Sequence, residues 1–125
     1  MALILIVDDD AAVRDSIAAI LGLDGHELAE AADGHQCERE VQRRTPDLVI
    51  LDIFMPGKEG IETIRSLRRW HRDLKILAIS GGGDSHLDKS LHYALEFGAN
   101  ATLPKPFLPG TLRNIVRALL ASNEA

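Results

Sequence analysis

The chain has 125 residues, 46% apolar and 26% charged, which suits one folded unit with a real core and excludes a disordered chain. Its net charge is −5, and its basic residues form only pairs, Arg43-Arg44 and Arg68-Arg69, which read as solvated helix ends. No duplex-binding stripe or membrane-seeking patch is present, so neither nucleic acid nor a lipid surface is an expected partner.

In chain order, Ala2-Leu3-Ile4-Leu5-Ile6-Val7 is an unbroken apolar run ending in Asp8-Asp9-Asp10. It is too short and too acidic at its end for a signal peptide, and no later segment could span a bilayer, so a cytoplasmic location is expected. Asp10 is placed to cap a helix from Ala11, and Val13, Ile17, Ile20 and Leu21 give that helix its apolar stripe. Leu23-Asp24-Gly25 ends it. His26 to Ala31 alternates loosely, with Glu27 and Glu30 too polar for a central strand, so an edge strand is predicted. Asp33-Gly34 then starts a short helix carrying Cys37 and Val41, stopped by Thr45-Pro46. Cys37 is the sole cysteine, which rules out an internal disulfide and fits a reducing compartment and a buried packing role.

Leu48-Val49-Ile50-Leu51 is a second unbroken apolar run, and it delivers Asp52. Phe54-Met55-Pro56-Gly57 turns the chain into a helix marked by Ile61, Ile64 and Leu67, running to about Trp70. Leu74 to Ile79 reads as a fourth strand, followed by Ser80 and Gly81-Gly82-Gly83. Leu87, Leu91, Ala94 and Leu95 stripe a fourth helix that Gly98 closes. Ala101-Thr102-Leu103 is a short fifth strand before Lys105-Pro106-Phe107. A last helix enters through Leu108-Pro109 and carries Leu112, Ile115, Val116 and Leu119.

Apolar runs without alternation indicate strands buried on both faces, as in parallel sheets. Strands alternating with helices therefore give an α/β fold, a doubly wound five-stranded parallel sheet between helical layers. The polar second and fifth strands belong at the edges, and the order 2-1-3-4-5 satisfies this. Its switch point falls between strands one and three, beyond whose carboxyl ends ligands bind in such folds. Asp8, Asp9 and Asp52 meet there. An isolated aspartate is more often a cap or turn residue. Three of them, with Ser80 and Lys105 at neighbouring strand ends, are a different matter. Converging carboxylates repel unless a proton or a cation intervenes, and a hard divalent ion such as Mg²⁺ would bridge them to a phosphoryl oxygen. Aspartate can itself serve as the nucleophile toward phosphorus. His26, His35, His71, His86 and His92 are scattered and read as surface or capping groups.

The acidic pair Asp8-Asp9, the Asp52-Ile53-Phe54-Met55-Pro56-Gly57 stretch, Ser80 and Lys105-Pro106-Phe107 occur in this order at these strand ends. In this the chain resembles the receiver domain of bacterial two-component response regulators, over nearly its whole length. The resemblance implies one receiver over residues 1–125, a flavodoxin-like three-layer sandwich. It implies that Asp52 is the phosphoacceptor, supplied by a phosphohistidine on a histidine kinase or histidine phosphotransfer protein. Mg²⁺ would be held by Asp8, Asp9, Asp52 and the Phe54 main-chain carbonyl. Ser80 would be the switch hydroxyl, Lys105 the phosphoryl partner, and Lys105-Pro106 a cis bond. A downstream protein would meet the face of helix four, strand five and helix five. Such a module assists its own phosphorylation and dephosphorylation and is not a turnover enzyme.

Two departures stand out. Thr102 holds a position often filled by an aromatic switch residue, and Leu108 replaces a small polar cap. No effector segment follows Ala125 in this sequence, and a free-standing receiver or a piece of a longer regulator are both open. The rival readings are a phosphatase or phosphotransferase of the haloacid dehalogenase type, and a degenerate receiver serving as a scaffold. The first uses similar groups but wants its nucleophile after strand one. The second sits poorly with all five chemical positions being filled. A flavodoxin-like FMN carrier lacks its Ser/Thr/Gly-rich phosphate loop here.

Overall fold

The computed structural model describes residues 2–53, 59–81 and 87–122. Its elements run β1 (Leu3–Val7), α1 (Ala11–Gly22), β2 (Glu27–Ala31), α2 (Gly34–Arg43) and β3 (Leu48–Asp52). They continue with α3 (Glu59–Trp70), β4 (Lys75–Ser80), α4 (Leu87–Glu96), β5 (Ala101–Pro104) and α5 (Pro109–Ala121). Every pairing is parallel, in the order β2-β1-β3-β4-β5.

Alternation along the strands explains the two buried layers. Val49, Leu51, Ile76 and Ala78 face Cys37 and Val41 of α2, Ile64 and Leu67 of α3, and Ala94 of α4. Leu48, Ile50, Leu77 and Ile79 face the opposite way, onto Ile17 and Leu21 of α1 and Leu112 and Val116 of α5. With both faces covered there is no polar side for β1, β3 or β4 to show, so their sequences do not alternate. Truncating a fully buried side chain such as Ile50 to alanine costs about 2–5 kcal/mol in such a core. Cys37 is wholly buried, and loss of water pushes its thiol up to about 12, so it packs and does not react.

Helix entries follow local chemistry. Asp10 caps α1 by accepting from the Ala12 amide at 2.9 Å. Asp33 accepts from the Gln36 amide at 2.8 Å, and the Gln36 side chain accepts in return from the Ala32 amide at 2.6 Å. Pro109 opens α5 behind Leu108, which offers no side-chain cap and stands largely exposed. Gly98 ends the α4 turn at φ +124°, the left-handed side that favours glycine. At the far end of α1, the Arg113 guanidinium bonds Asp24 and holds its carboxyl below the usual range.

Two expectations need correction. Arg68 is no solvated helix end: its Nε donates to the Gly98 carbonyl at 2.8 Å and its Nη2 to Asn100 Oδ1 at 2.7 Å. The neighbouring pair does behave as expected, Arg43 bonding Glu40 and Arg44 bonding Glu27 at the surface. Leu95, assigned to the buried stripe of α4, is about half exposed, and Ala94 supplies the inward contact. A small residue lets α4 lie close to the sheet, which turns the next position outward. The side chains of Leu87 and Leu91 lie outside the described residues.

Candidate functional site

Register levels the site. Val7 pairs with Leu51, Asp52 with Ile79, and Ser80 with Pro104. The residues just past β1, at the end of β3 and at the end of β4 therefore emerge together at the carboxyl edge, beside the residue following β5. Asp8, Asp9 and Asp52 each place a carboxylate oxygen within 4.8 Å of the others. Asp8 and Asp52 are buried and Asp9 is exposed. The strand ends thus present an acidic cluster with one open side.

Lys105 reaches into this cluster. Its Nζ donates to Asp8 Oδ2 at 3.1 Å and to Asp52 Oδ2 at 3.3 Å. Burial alone would lower its pKa, but the charges of Asp52 and Asp8 and the bonds to them outweigh burial, and the net shift is upward. Lys105 is therefore held in its charged form here at neutral pH. The Lys105-Pro106 bond is cis, as the family resemblance implies.

Asp8 is fixed from several directions. Its Oδ1 accepts from the Asp10 amide at 2.9 Å, and its main-chain carbonyl accepts from Arg14 Nη1 at 2.6 Å. Arg14 in turn bonds Glu30 on β2. The sequence reading missed this brace; its only trace was a basic residue four positions after a helix cap. Ser80 is fully buried, and among the described residues its Oγ has no hydrogen-bond partner. A buried hydroxyl without a partner is costly, so a group that it can donate to is favoured beside it.

Of the predicted site residues, Asp8, Asp9, Asp52 and Lys105 come together, with Ser80 at the adjacent strand end. Phe54 lies outside the described residues, as do Gly82, Gly83 and His86. Thr102 is partly buried on β5 opposite Ala78. Among the described residues no histidine joins the cluster: His26 Nδ1 accepts from the Ala2 amide, and His92 pairs with Glu96 on α4.

Comparison with known proteins decides the family. The model of the response regulator receiver domain matches residues 4–117. The chain belongs to that family. Response regulator MprA of Mycobacterium leprae is 40% identical over 117 residues, covering 94% of this chain and 50% of its own. The phosphate regulon transcriptional regulatory protein PhoB of Pseudomonas aeruginosa is 38% identical over 119 residues, covering 94% of this chain and 51% of its own. The chain thus spans about half the length of these curated relatives. Among solved structures, the receiver domain of NtrX from Brucella abortus matches with a TM-score of 0.87 and 32% identity. That match covers 94% of this chain and 98% of the other. A CheY-like receiver from Methanospirillum hungatei gives a TM-score of 0.89 at 28% identity, covering 99% and 97%. This receiver is a phosphoacceptor module of two-component signalling, whose regulators are phosphorylated by histidine kinases. Among its described residues no helix is long and apolar enough to cross a membrane.

Proposed function

We propose that this receiver carries its phosphoryl group on Asp52, and that residues 1–125 act as one such unit. The supporting observation is the reach of Lys105 Nζ to both Asp52 and Asp8 at the end of a buried strand. An Asp52 oxygen attacks the phosphorus of a phosphohistidine on a kinase or phosphotransfer protein. The new P–O bond forms as the P–N bond breaks, and the departing imidazole keeps the electron pair and takes up a proton. Lys105 moves from carboxylate to phosphoryl oxygen, and Ser80 Oγ gains the acceptor that it lacks among the described residues.

The oxygen-only donor set of Asp8, Asp9 and Asp52 fits a hard divalent ion, and these residues would hold Mg²⁺, with the Phe54 carbonyl added by family resemblance. When bound, that ion offsets the repulsion between the carboxylates and the incoming phosphoryl group. Arg14 and the Asp10 amide keep Asp8 oriented meanwhile. The switched surface is α4, β5 and α5, with a downstream protein as its reader. Because Thr102 is too small to report the move of Ser80 as a ring would, the change is carried by the stretch after Ser80 and the start of α4.

Intact-mass measurement after incubation with a small acyl-phosphate donor and Mg²⁺ tests this. One phosphoryl group should add, and Asp52→Asn should remove it. Full modification of Asp52→Asn at the native rate sinks the assignment.

A further inference from the structure

The basic residues of this acidic chain are not evenly compensated. Arg14, Arg43, Arg44, Arg113 and Arg117 each stand against a carboxylate. Arg65, Arg69 and Arg72 follow one another along the outer side of α3 and its exit, all exposed. Among the described residues, none of these three guanidiniums has an ion pair. Residues 65–75 hold five basic side chains and one acid, a local charge of +4 in a chain of −5. Acids are plentiful elsewhere in the molecule, and Asp73 is the one within this stretch.

Two aromatic rings border the stripe. Trp70 is 73% exposed at the end of α3. Phe97 lies under the Arg65 guanidinium at 5.3 Å. A shallow groove of about 250 Å³ runs between Glu62, Arg65, Ser66 and Arg69. The platform is also held rigidly. Arg68, pointing inward, donates to the carbonyls of His71 and Gly98 and to Asn100 Oδ1, tying the last turn of α3 to the α4–β5 turn. Unpaired arginines beside an exposed tryptophan on a fixed element are the composition of interface hot spots, where little ordering entropy remains to be lost.

We propose that the C-terminal half of α3 is a docking surface for an acidic polypeptide segment. Its carboxylates are forked by Arg65, Arg69 and Arg72, and an apolar side chain of the partner covers Trp70. Guanidinium forks match carboxylates bidentately. Glu62 closes the other end of the groove and sets the limit of an acidic ligand. A nucleic acid fits less well. Three or four arginines contact fewer phosphates than the roughly 6–10 that give a duplex-binding protein its affinity, and the net charge opposes a long polyanion.

Trp70 is the sole tryptophan, so its own emission reads the site. The full chain is titrated with a short synthetic peptide alternating glutamate and leucine. A saturable blue shift is expected, weakened by salt, with affinity falling roughly tenfold or more in Arg69→Glu/Arg72→Glu, as for lost charge-assisted pairs. The Arg69→Gln/Arg72→Gln variant, with unchanged circular dichroism, should weaken binding in the same direction. Asp52→Asn should bind as well as the native chain, which separates this surface from the phosphoacceptor assignment. No saturable shift, equal binding by the charge-reversed variant, or equal binding of a lysine–leucine peptide overturns the proposal. Tighter binding of a single-stranded oligonucleotide of equal charge overturns it in favour of a nucleic-acid surface.

Discussion

Gly81 leaves open the space that the Lys105 side chain occupies: a Cβ built on Gly81 would lie 2.7 Å from Lys105 Cδ. Gly81 itself is exposed, so the demand for glycine comes from its neighbour across the strand ends and not from the core. Gly81→Val should therefore push Lys105 off Asp8 and Asp52. Phosphorylation should slow by about tenfold, and stability should fall by up to about 1–3 kcal/mol, the range for loss of the partly buried Lys105 pairs. Rates of acyl-phosphate labelling beside thermal melts check this. Native labelling by Gly81→Val would show that Lys105 does not need that space.

Lys105 itself links the site to pH. Its pKa is raised in the fold, since the two aspartates outweigh burial. Its stabilising contribution is therefore complete below the unfolded value of 10.5 and is lost as pH rises through the higher folded value. Lys105→Met should cost about 1–3 kcal/mol at neutral pH, between exposed and buried pairs. That difference should shrink in denaturant melts taken above pH 10.5. Removing the cation should also tighten Mg²⁺ binding by roughly 3- to 10-fold while slowing phosphorylation, because the carboxylates lose their resident positive charge. Calorimetric titration giving weaker Mg²⁺ binding would contradict the electrostatic account.

Gly60 makes a third case, where two rules of opposite sign meet. Replacing glycine inside an exposed helix with alanine ordinarily gains up to about 1 kcal/mol. At Gly60 the new Cβ would overlap the Ile53 Cα and lie 2.7 Å from the Ile53 carbonyl oxygen. Backbone cannot step aside as a side chain can, so overpacking wins and Gly60→Ala should lose about 1–3 kcal/mol. A melting temperature at or above the native one would reverse that ranking.

Much of this could be read from residues alone, because the signals were local. Asp10 and Asp33 announce their helices by capping chemistry, and unbroken apolar runs announce β1, β3 and β4. The site was legible because its acids and lysine sit directly at strand ends, where register places them together. Arg68 was misread for the opposite reason. Its partners Gly98 and Asn100 lie 30 and 32 residues away, and nothing beside it in the chain marks them. Gly60 carries no local mark either, since its constraint is the backbone of Ile53. Leu95 fits a helical stripe in sequence, yet the width of that stripe was set by Ala94 and the close approach of α4.

The pairing of Asp8 with Lys105 spans 97 residues, from just past the first strand to just past the last. Domains fold as units while the chain is being made. A ribosome that has released Asp8, Asp9 and Asp52 still holds back the ammonium that balances two of them. On the proposed assignment of Asp52, the nascent chain would complete its phosphoacceptor site only once β5 has emerged and docked. Competence to receive a signal would then arrive with the last strand, and a copy cut before Lys105 would lack the cation of that site.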